Sequence, residues 1–138
     1  MASMNRLGFM YAVISLAVLV VPNVVAPAAA SPFTGGTDAW TIIGQPSIVQ
    51  LSGSPTGKVN YQSNLNVTVL GVVFLVVHNS LGQTVYISTA TASINAGKNS
   101  TAFAVIFGVP SGAYSATFFA TLASGTAMSV PTSIPLTL

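Results

Sequence analysis

The sequence has almost no charge and no cysteine. Only 3% of its 138 residues are charged, and a single acidic side chain, Asp38, stands against Lys58, Lys98 and Arg6. Without cysteine, neither a disulfide nor a thiolate metal site can form. Nucleic-acid recognition needs clustered basic residues, and three dispersed ones do not make a cluster. These shortages exclude nucleic acid as a partner.

The same shortage argues against catalysis. Glycosidases and aspartic proteases work with two carboxylates, and this chain has one acidic residue. A metal centre needs several converging ligands, which the sequence does not supply. The single histidine, His78, ends an apolar segment, where a structural role is more typical than that of a general base, and only Asp38 could orient it. We therefore expect no enzymatic activity and no cofactor.

The first thirty residues have the pattern of a secretory signal peptide. Arg6 precedes an apolar run over residues 7–21, and the small residues 28–30 provide a cleavage site before Ser31. The run is shorter than the roughly 20 apolar residues that span a bilayer. We predict a signal helix at residues 1–30, contact with the membrane only during export, and a secreted product at the cell surface.

A type IV pilin-like leader is an alternative for the same residues. It would be cut before Phe9, so that the apolar run is kept as an assembly helix. Pro22 and Pro27 argue against this alternative because proline breaks a helix interior.

Apolar and hydroxyl-bearing residues are abundant. Hydrophobic residues make up 51% of the chain, and 14 serines and 14 threonines follow residue 30. Tyr114, Ala116 and Phe118 alternate with Ser115 and Thr117, which is the period of a strand with one face in water. Such segments recur between glycine, proline and asparagine turns. This predicts an all-β protein, an immunoglobulin-like antiparallel β-sandwich of about six to seven strands preceded by the signal helix.

Composition divides the mature chain in two. Residues 31–46, rich in glycine with two prolines, predict a flexible N-terminal arm, and residues 47–138 predict the sandwich. Within the sandwich, Tyr114 follows a proline-glycine turn and is a candidate tyrosine corner, whose hydroxyl ties a loop to the backbone. An ordinary core tyrosine is the alternative.

Two Asn-x-Ser/Thr sequons follow the leader. Asn66 is expected on the outward side of a strand beginning at residue 65, and Asn99 in a turn. Both are candidate N-glycosylation sites in an exported protein.

One predicted strand is apolar on both faces. Val72, Phe74 and Val76 alternate with three further apolar residues, and Phe119 interrupts the polar face of a later strand. A strand of a two-sheet sandwich has one inner face, so either a folded-back segment or another subunit must cover these four candidate interface residues. Gly71, inside the same strand, predicts a bulge.

Several segments resemble one type of protein. The leader, the nearly uncharged chain, the arm SPFTGGTDAWTIIG, and the passages NSLGQTVYIS and VPSGAYSATFF resemble archaeal surface proteins with immunoglobulin-like domains. These include thread and bundling-pilus subunits, which join by donor-strand complementation. The resemblance implies a filament subunit whose partners are copies of itself and whose N-terminal segment enters the next subunit. The implied plugs are Trp40, Ile42, Ile43, Ile48, Val49 and Leu51.

The chain is small for such a subunit, which keeps a second hypothesis open. A monomeric adhesion or binding module could recognise other surface proteins or glycans through its loops. Loop aromatics would favour this hypothesis, and the tyrosines are scattered.

Overall fold

The computed structural model describes residues 36–138, which form eight β-strands and no helix. The predicted signal helix, the type IV pilin-like alternative and the first residues of the arm lie outside this range. The strands are β1 (Trp40–Ile42), β2 (Ser47–Leu51), β3 (Ser54–Ser63), β4 (Val69–His78), β5 (Thr84–Ile94), β6 (Asn99–Val105), β7 (Ala113–Thr121) and β8 (Thr132–Thr137).

The strands form two antiparallel sheets. In the first sheet, β1 and β2 lie one after the other along one edge of β3, and β6 pairs with the other edge. The second sheet has the order β5-β4-β7-β8. Inward side chains of both sheets are buried, among them Val59, Tyr61, Val73, Leu75, Ile94, Phe118 and Ile134. The expected all-β, sandwich-like architecture with antiparallel sheets is confirmed.

The strand count exceeds the expectation because β1 lies within the predicted arm and because β3 begins in residues with the composition of a turn. Ser52 and Gly53, with φ of 51° and 79°, form a two-residue reversal between β2 and β3. The turn-like composition of residues 52–57 therefore hides the start of a ten-residue strand. Pro55 lies beside the turn, before the pairing with β6 starts at Thr56, so the strand tolerates it.

The two ends of the sandwich differ in composition. At one end, which we call the sequon end, the loop of residues 64–68 meets the turn of residues 95–98, where Gly97 N–H donates to the Leu65 carbonyl at 3.1 Å. The opposite end, which we call the hairpin end, carries the Ser52–Gly53 reversal, the turn of residues 79–83 and the loop of residues 106–112. Tyr114 fixes that loop, since its hydroxyl donates to the Pro110 carbonyl at 2.8 Å.

Candidate assembly surfaces

Trp40 joins the first strand to the opposite sheet. Its side chain is fully buried and lies on Gly71 of β4, where an added Cβ would be 2.6 Å from Trp40 Cη2. Its ring also packs on Tyr61, with the centroids 5.7 Å apart. Gly71 therefore leaves the space that the Trp40 indole occupies. The predicted bulge at this glycine is wrong, because the only register shift between β4 and β5 lies at Val77/His78.

Backbone bonds hold β1 along both of its edges. On one side Trp40 pairs with Ser63 of β3. On the other side the Trp40 N–H donates to the Met128 carbonyl at 2.9 Å. The Asn64 side-chain amide adds bonds to the Asp38 carbonyl at 2.7 Å and the Thr41 hydroxyl at 2.8 Å. The three-residue strand β1 is thus held between β3 and the segment that contains Met128.

Two buried polar groups in this region have no hydrogen-bond partner among the described residues, the Trp40 indole N–H and the Tyr61 hydroxyl. Burial raises the pKa of Tyr61 from 10.0 to about 12, and the Ser129 hydroxyl beside it lowers that pKa by a smaller amount. The Ser129 hydroxyl oxygen accepts from the Ala120 N–H at 2.9 Å and forms no hydrogen bond with the Tyr61 hydroxyl. An unpaired buried hydroxyl costs stability and favours the uncharged phenol.

The other five candidate plugs are less buried than Trp40. Ile42 is half-buried and Ile43 is 37% exposed. In β2, Ile48 and Val49 are half-buried and Leu51 is 44% exposed. Because β2 is joined to β3 by a two-residue turn, it cannot leave its sheet without dissolving that hairpin. Of the six candidates, Trp40 alone has the burial and the socket of a plug.

A short linker separates β1 from β2. Ile43 N–H still donates to the Asn60 carbonyl at 2.9 Å, and β2 begins to pair at Ser47 opposite Lys58. Gly44 between them is exposed, with φ of 69° and open space around the position of a Cβ. The left-handed conformation at Gly44 offsets the two strands along one edge of β3.

The four candidate interface residues lie together on the outer side of the second sheet. Phe74 stands opposite Phe119 in the β4–β7 register, and their rings stack with centroids 5.0 Å apart and planes 5° apart. Val72 and Phe74 are half-buried, and Val76 is 9% exposed. These residues cover one another in part and form the centre of an apolar patch.

Two further apolar residues extend this patch, and sequence reasoning missed them: Leu70 and Ile87, which are 62% and 56% exposed. We call the six residues the apolar face: Leu70, Val72, Phe74, Val76, Ile87 and Phe119. The signal for Ile87 was present in the sequence of β5. Small residues and Ile94 alternate there on the buried side with Tyr86, which assigns Ile87 to the outer side.

No charged side chain projects from the apolar face among residues 36–138. Lys58 belongs to β3 in the other sheet, Lys98 to the turn at the sequon end, and Asp38 precedes β1. Hydroxyl side chains flank the apolar residues instead, with Thr89 and Thr91 on β5 and Thr117 on β7, which bonds Ser133 of β8 at 2.7 Å. The face is therefore apolar at its centre and has hydroxyl side chains at its margins, with His78 at the end of the central strand β4.

Both sequons lie at the sequon end. Asn66 is exposed in the loop of residues 64–68 rather than on a strand, since β4 begins only at Val69. Asn99 is exposed at the first position of β6. Their threonines are both hydrogen-bonded, Thr68 to Asn95 at 3.1 Å and Thr101 to Asn60 at 2.7 Å. Neither asparagine projects from the apolar face.

The structure separates His78 from Asp38. Trp40, two residues after Asp38, packs on Gly71, and His78 follows Gly71 by seven residues along β4, which is about 23 Å of strand. His78 Nδ1 lies 3.3 Å from the Thr84 hydroxyl. Within residues 36–138, no three His, Cys, Asp or Glu side chains cluster in a way that could hold a metal ion. None of the described residues forms a helix long and apolar enough to cross a membrane.

The sequence matches no protein-family model and no curated protein sequence. The features of the described residues that bear on function are β1 and the apolar face.

Proposed function

We propose that this chain is a structural subunit of an extracellular surface filament, with an immunoglobulin-like sandwich that exchanges its first strand between copies. The observation that supports the proposal is the seat of Trp40, a fully buried indole on a three-residue strand, packed on Gly71 of the opposite sheet. In the filament, β1 of one copy occupies this seat in the next copy. This is donor-strand complementation.

An unoccupied seat would be costly. Without β1, the ring of Tyr61 loses its aromatic neighbour, a cavity opens above Gly71, and the Met128 carbonyl loses its donor. Cavities and unpaired buried backbone groups each destabilise a fold by amounts on the order of kcal/mol. A β1 from a second copy restores the same contacts. The exchanged arrangement therefore keeps the stability that the closed subunit gains from its own β1.

The linker decides between the closed and the exchanged arrangement. Closure requires the left-handed turn at Gly44 so that β1 and β2 share one edge of β3. A straightened linker carries β1 away from its own sandwich toward another. Short hinge segments under conformational restriction favour exchange. Each copy gives one strand and receives one. When the copy that receives β1 is not the copy that gives it, the contact is head-to-tail and extends into a filament as long as the rotation between copies does not close a ring.

A second candidate function is a monomeric adhesion or binding module for surface proteins or glycans. Two exposed apolar side chains on loops of the hairpin end favour it: Leu81 is 79% exposed and Phe107 is 62% exposed. Isolated exposed apolar residues are common on protein surfaces, which gives this candidate the weaker support.

Electron microscopy of negatively stained protein tests the proposal. A chain that starts at Ser31 keeps every strand of both sheets, whereas a chain that starts at Ser47 lacks β1. We expect filaments only from the longer chain. A peptide of residues 34–46 should bind the shorter chain and restore its thermal stability, and a Trp40→Ala version of the peptide should not. Monomers from the longer chain, with no peptide binding by the shorter one, would contradict the proposal and favour the adhesion module.

The same preparation tests the leader. Mass spectrometry of the exported protein should give a mature N-terminus at Ser31, whereas a type IV pilin-like leader would give Phe9.

A further inference from the structure

We infer that the apolar face is a second self-association surface, on which the same face of another copy packs. This contact is independent of the proposed strand exchange. The apolar face belongs to the sheet of β5, β4, β7 and β8, whereas β1 lies in the other sheet.

The distribution of side chains on the face is self-complementary. β4 lies between β5 and β7 and carries the central apolar strip from Leu70 to Val76. Threonines flank the strip on both sides, Thr89 and Thr91 on β5 and Thr117 on β7. A two-fold axis along the strip places the apolar side chains of β4 on the same side chains of the second copy, and the β5 side of one copy on the β7 side of the other. A patch that matches itself in this way is what a symmetric dimer contact requires.

Charge favours a second copy over a charged partner. The three charged side chains within residues 36–138, Asp38, Lys58 and Lys98, all lie off the face. Two such faces therefore bury no unpaired charge when they pack together, and burying an unpaired charge is the main penalty at an interface. An anionic or cationic partner would find no countercharge there and would lose hydration without compensation.

The size of the face suits a reversible dimer. The apolar face covers three strands about 4.8 Å apart, and the ten residues of β4 at about 3.3 Å each give a footprint of about 480 Å². A standard specific interface buries about 800 Å² on each partner. Two packed sheets lie about 10 Å apart, and their side chains interdigitate. The exposed side chains of Leu70 and Ile87 are available to interdigitate in this way.

The test removes strand exchange first, so that the remaining association reports on the face alone. Thr41 and Gln62 stand directly opposite each other in β1 and β3. Opposed Cα atoms in antiparallel strands are about 4.5–5.5 Å apart, within the reach of a disulfide. Since the chain has no cysteine of its own, T41C/Q62C in the chain from Ser31, purified as the oxidised monomeric subunit, holds β1 in its own sandwich.

Sedimentation velocity of this locked chain should show a concentration-dependent dimer. Ile87→Lys and Leu70→Lys, which place a charge on the face, should each weaken the dimer at least about tenfold. Phe103→Lys is the matched control, because Phe103 is a 45% exposed apolar residue on β6, in the other sheet, and the substitution should leave the dimer unchanged. Circular dichroism checks folding, and Ile87→Thr keeps a β-branched strand residue if the lysine variants misfold.

Three results would overturn the inference. The first is a locked chain that stays monomeric at every concentration tested. The second is a dimer that Phe103→Lys weakens as much as Ile87→Lys does. The third is a monomer that floats with uncharged phosphatidylcholine vesicles through the same face, which would identify lipid as the occupant.

Discussion

The indole of Trp40 fills the space that a side chain on Gly71 would need. An added Cβ on Gly71 would lie 2.6 Å from Cη2 and 2.7 Å from Cζ3 of Trp40, and 3.2 Å from the sulfur of Met128. Real Cβ atoms do not approach other heavy atoms so closely, and the fully buried indole has no free space into which to move. The glycine and the tryptophan therefore form a plug and its socket across the two sheets.

This relationship predicts a specific non-additivity. Gly71→Ala should lower the free energy of unfolding by about 1–3 kcal/mol, because overpacking forces the indole out of place. Trp40→Phe removes the distal ring atoms that meet the added methyl. The double variant should therefore be more stable than the sum of the single effects predicts. Urea denaturation of the four proteins checks this, and simple additivity would contradict the direct contact.

Tyr61 predicts a loss of stability in alkali. Burial raises its pKa from 10.0 to about 12, so the folded state holds the proton more tightly than the unfolded state does. The associated stability, about 2–3 kcal/mol, is fully present below pH 10 and is lost as the pH rises through 12. Because the hydroxyl has no partner, Tyr61→Phe should keep stability near neutral pH and abolish this loss. Parallel pH profiles for the two proteins would contradict the prediction.

The Tyr114 hydroxyl is expected to contribute to stability by fixing the loop at the hairpin end. Its hydroxyl donates to the Pro110 carbonyl at 2.8 Å, whereas the Tyr86 hydroxyl donates to the Val105 carbonyl over a longer 3.2 Å. Tyr114→Phe should cost about 0.5–1.5 kcal/mol without changing the fold. Tyr86→Phe is the comparison, with a smaller expected loss. Thermal unfolding measures both, and a Tyr114→Phe protein as stable as the parent would show that the bond contributes nothing.

The sequons predict glycans at one end only. Asn66 and Asn99 are both exposed at the sequon end. Expression in a eukaryotic secretory host should add mass at one or both sites, which Asn66→Gln and Asn99→Gln would remove separately. A glycosylated protein should keep the dimerisation of the locked chain, since both sites lie off the apolar face. Unmodified protein from that host would contradict the prediction that these sequons carry glycans.

Sequence patterns were sufficient for the sheet class and for part of the apolar face. The alternation around Tyr114 reports directly which side chains point to a core, whereas the double-sided run around Phe74 indicates only that one of its two apolar sides lies outside the core. The patterns failed at β3, because Pro55 and Gly57 look like turn residues although they sit inside a strand. Gly57 lies under Leu75 and Phe118, at 2.8 Å from an added Cβ, so this glycine too provides space for large side chains across the core. Contacts of this kind join distant residues, and local patterns do not contain them.

The most direct test of the central claim, strand exchange through β1, again uses the T41C/Q62C chain. Here the chain is assembled first and oxidised afterwards. The chain from Ser31 is assembled under reducing conditions, then oxidised and separated on a denaturing gel without reductant. Exchange puts the cysteine that replaces Thr41 in one copy opposite the cysteine that replaces Gln62 in the next. The account therefore predicts a ladder of covalent multimers that collapses to monomer on reduction. Filaments that yield only internally bridged monomers would contradict it, because β1 would then have stayed in its own sandwich.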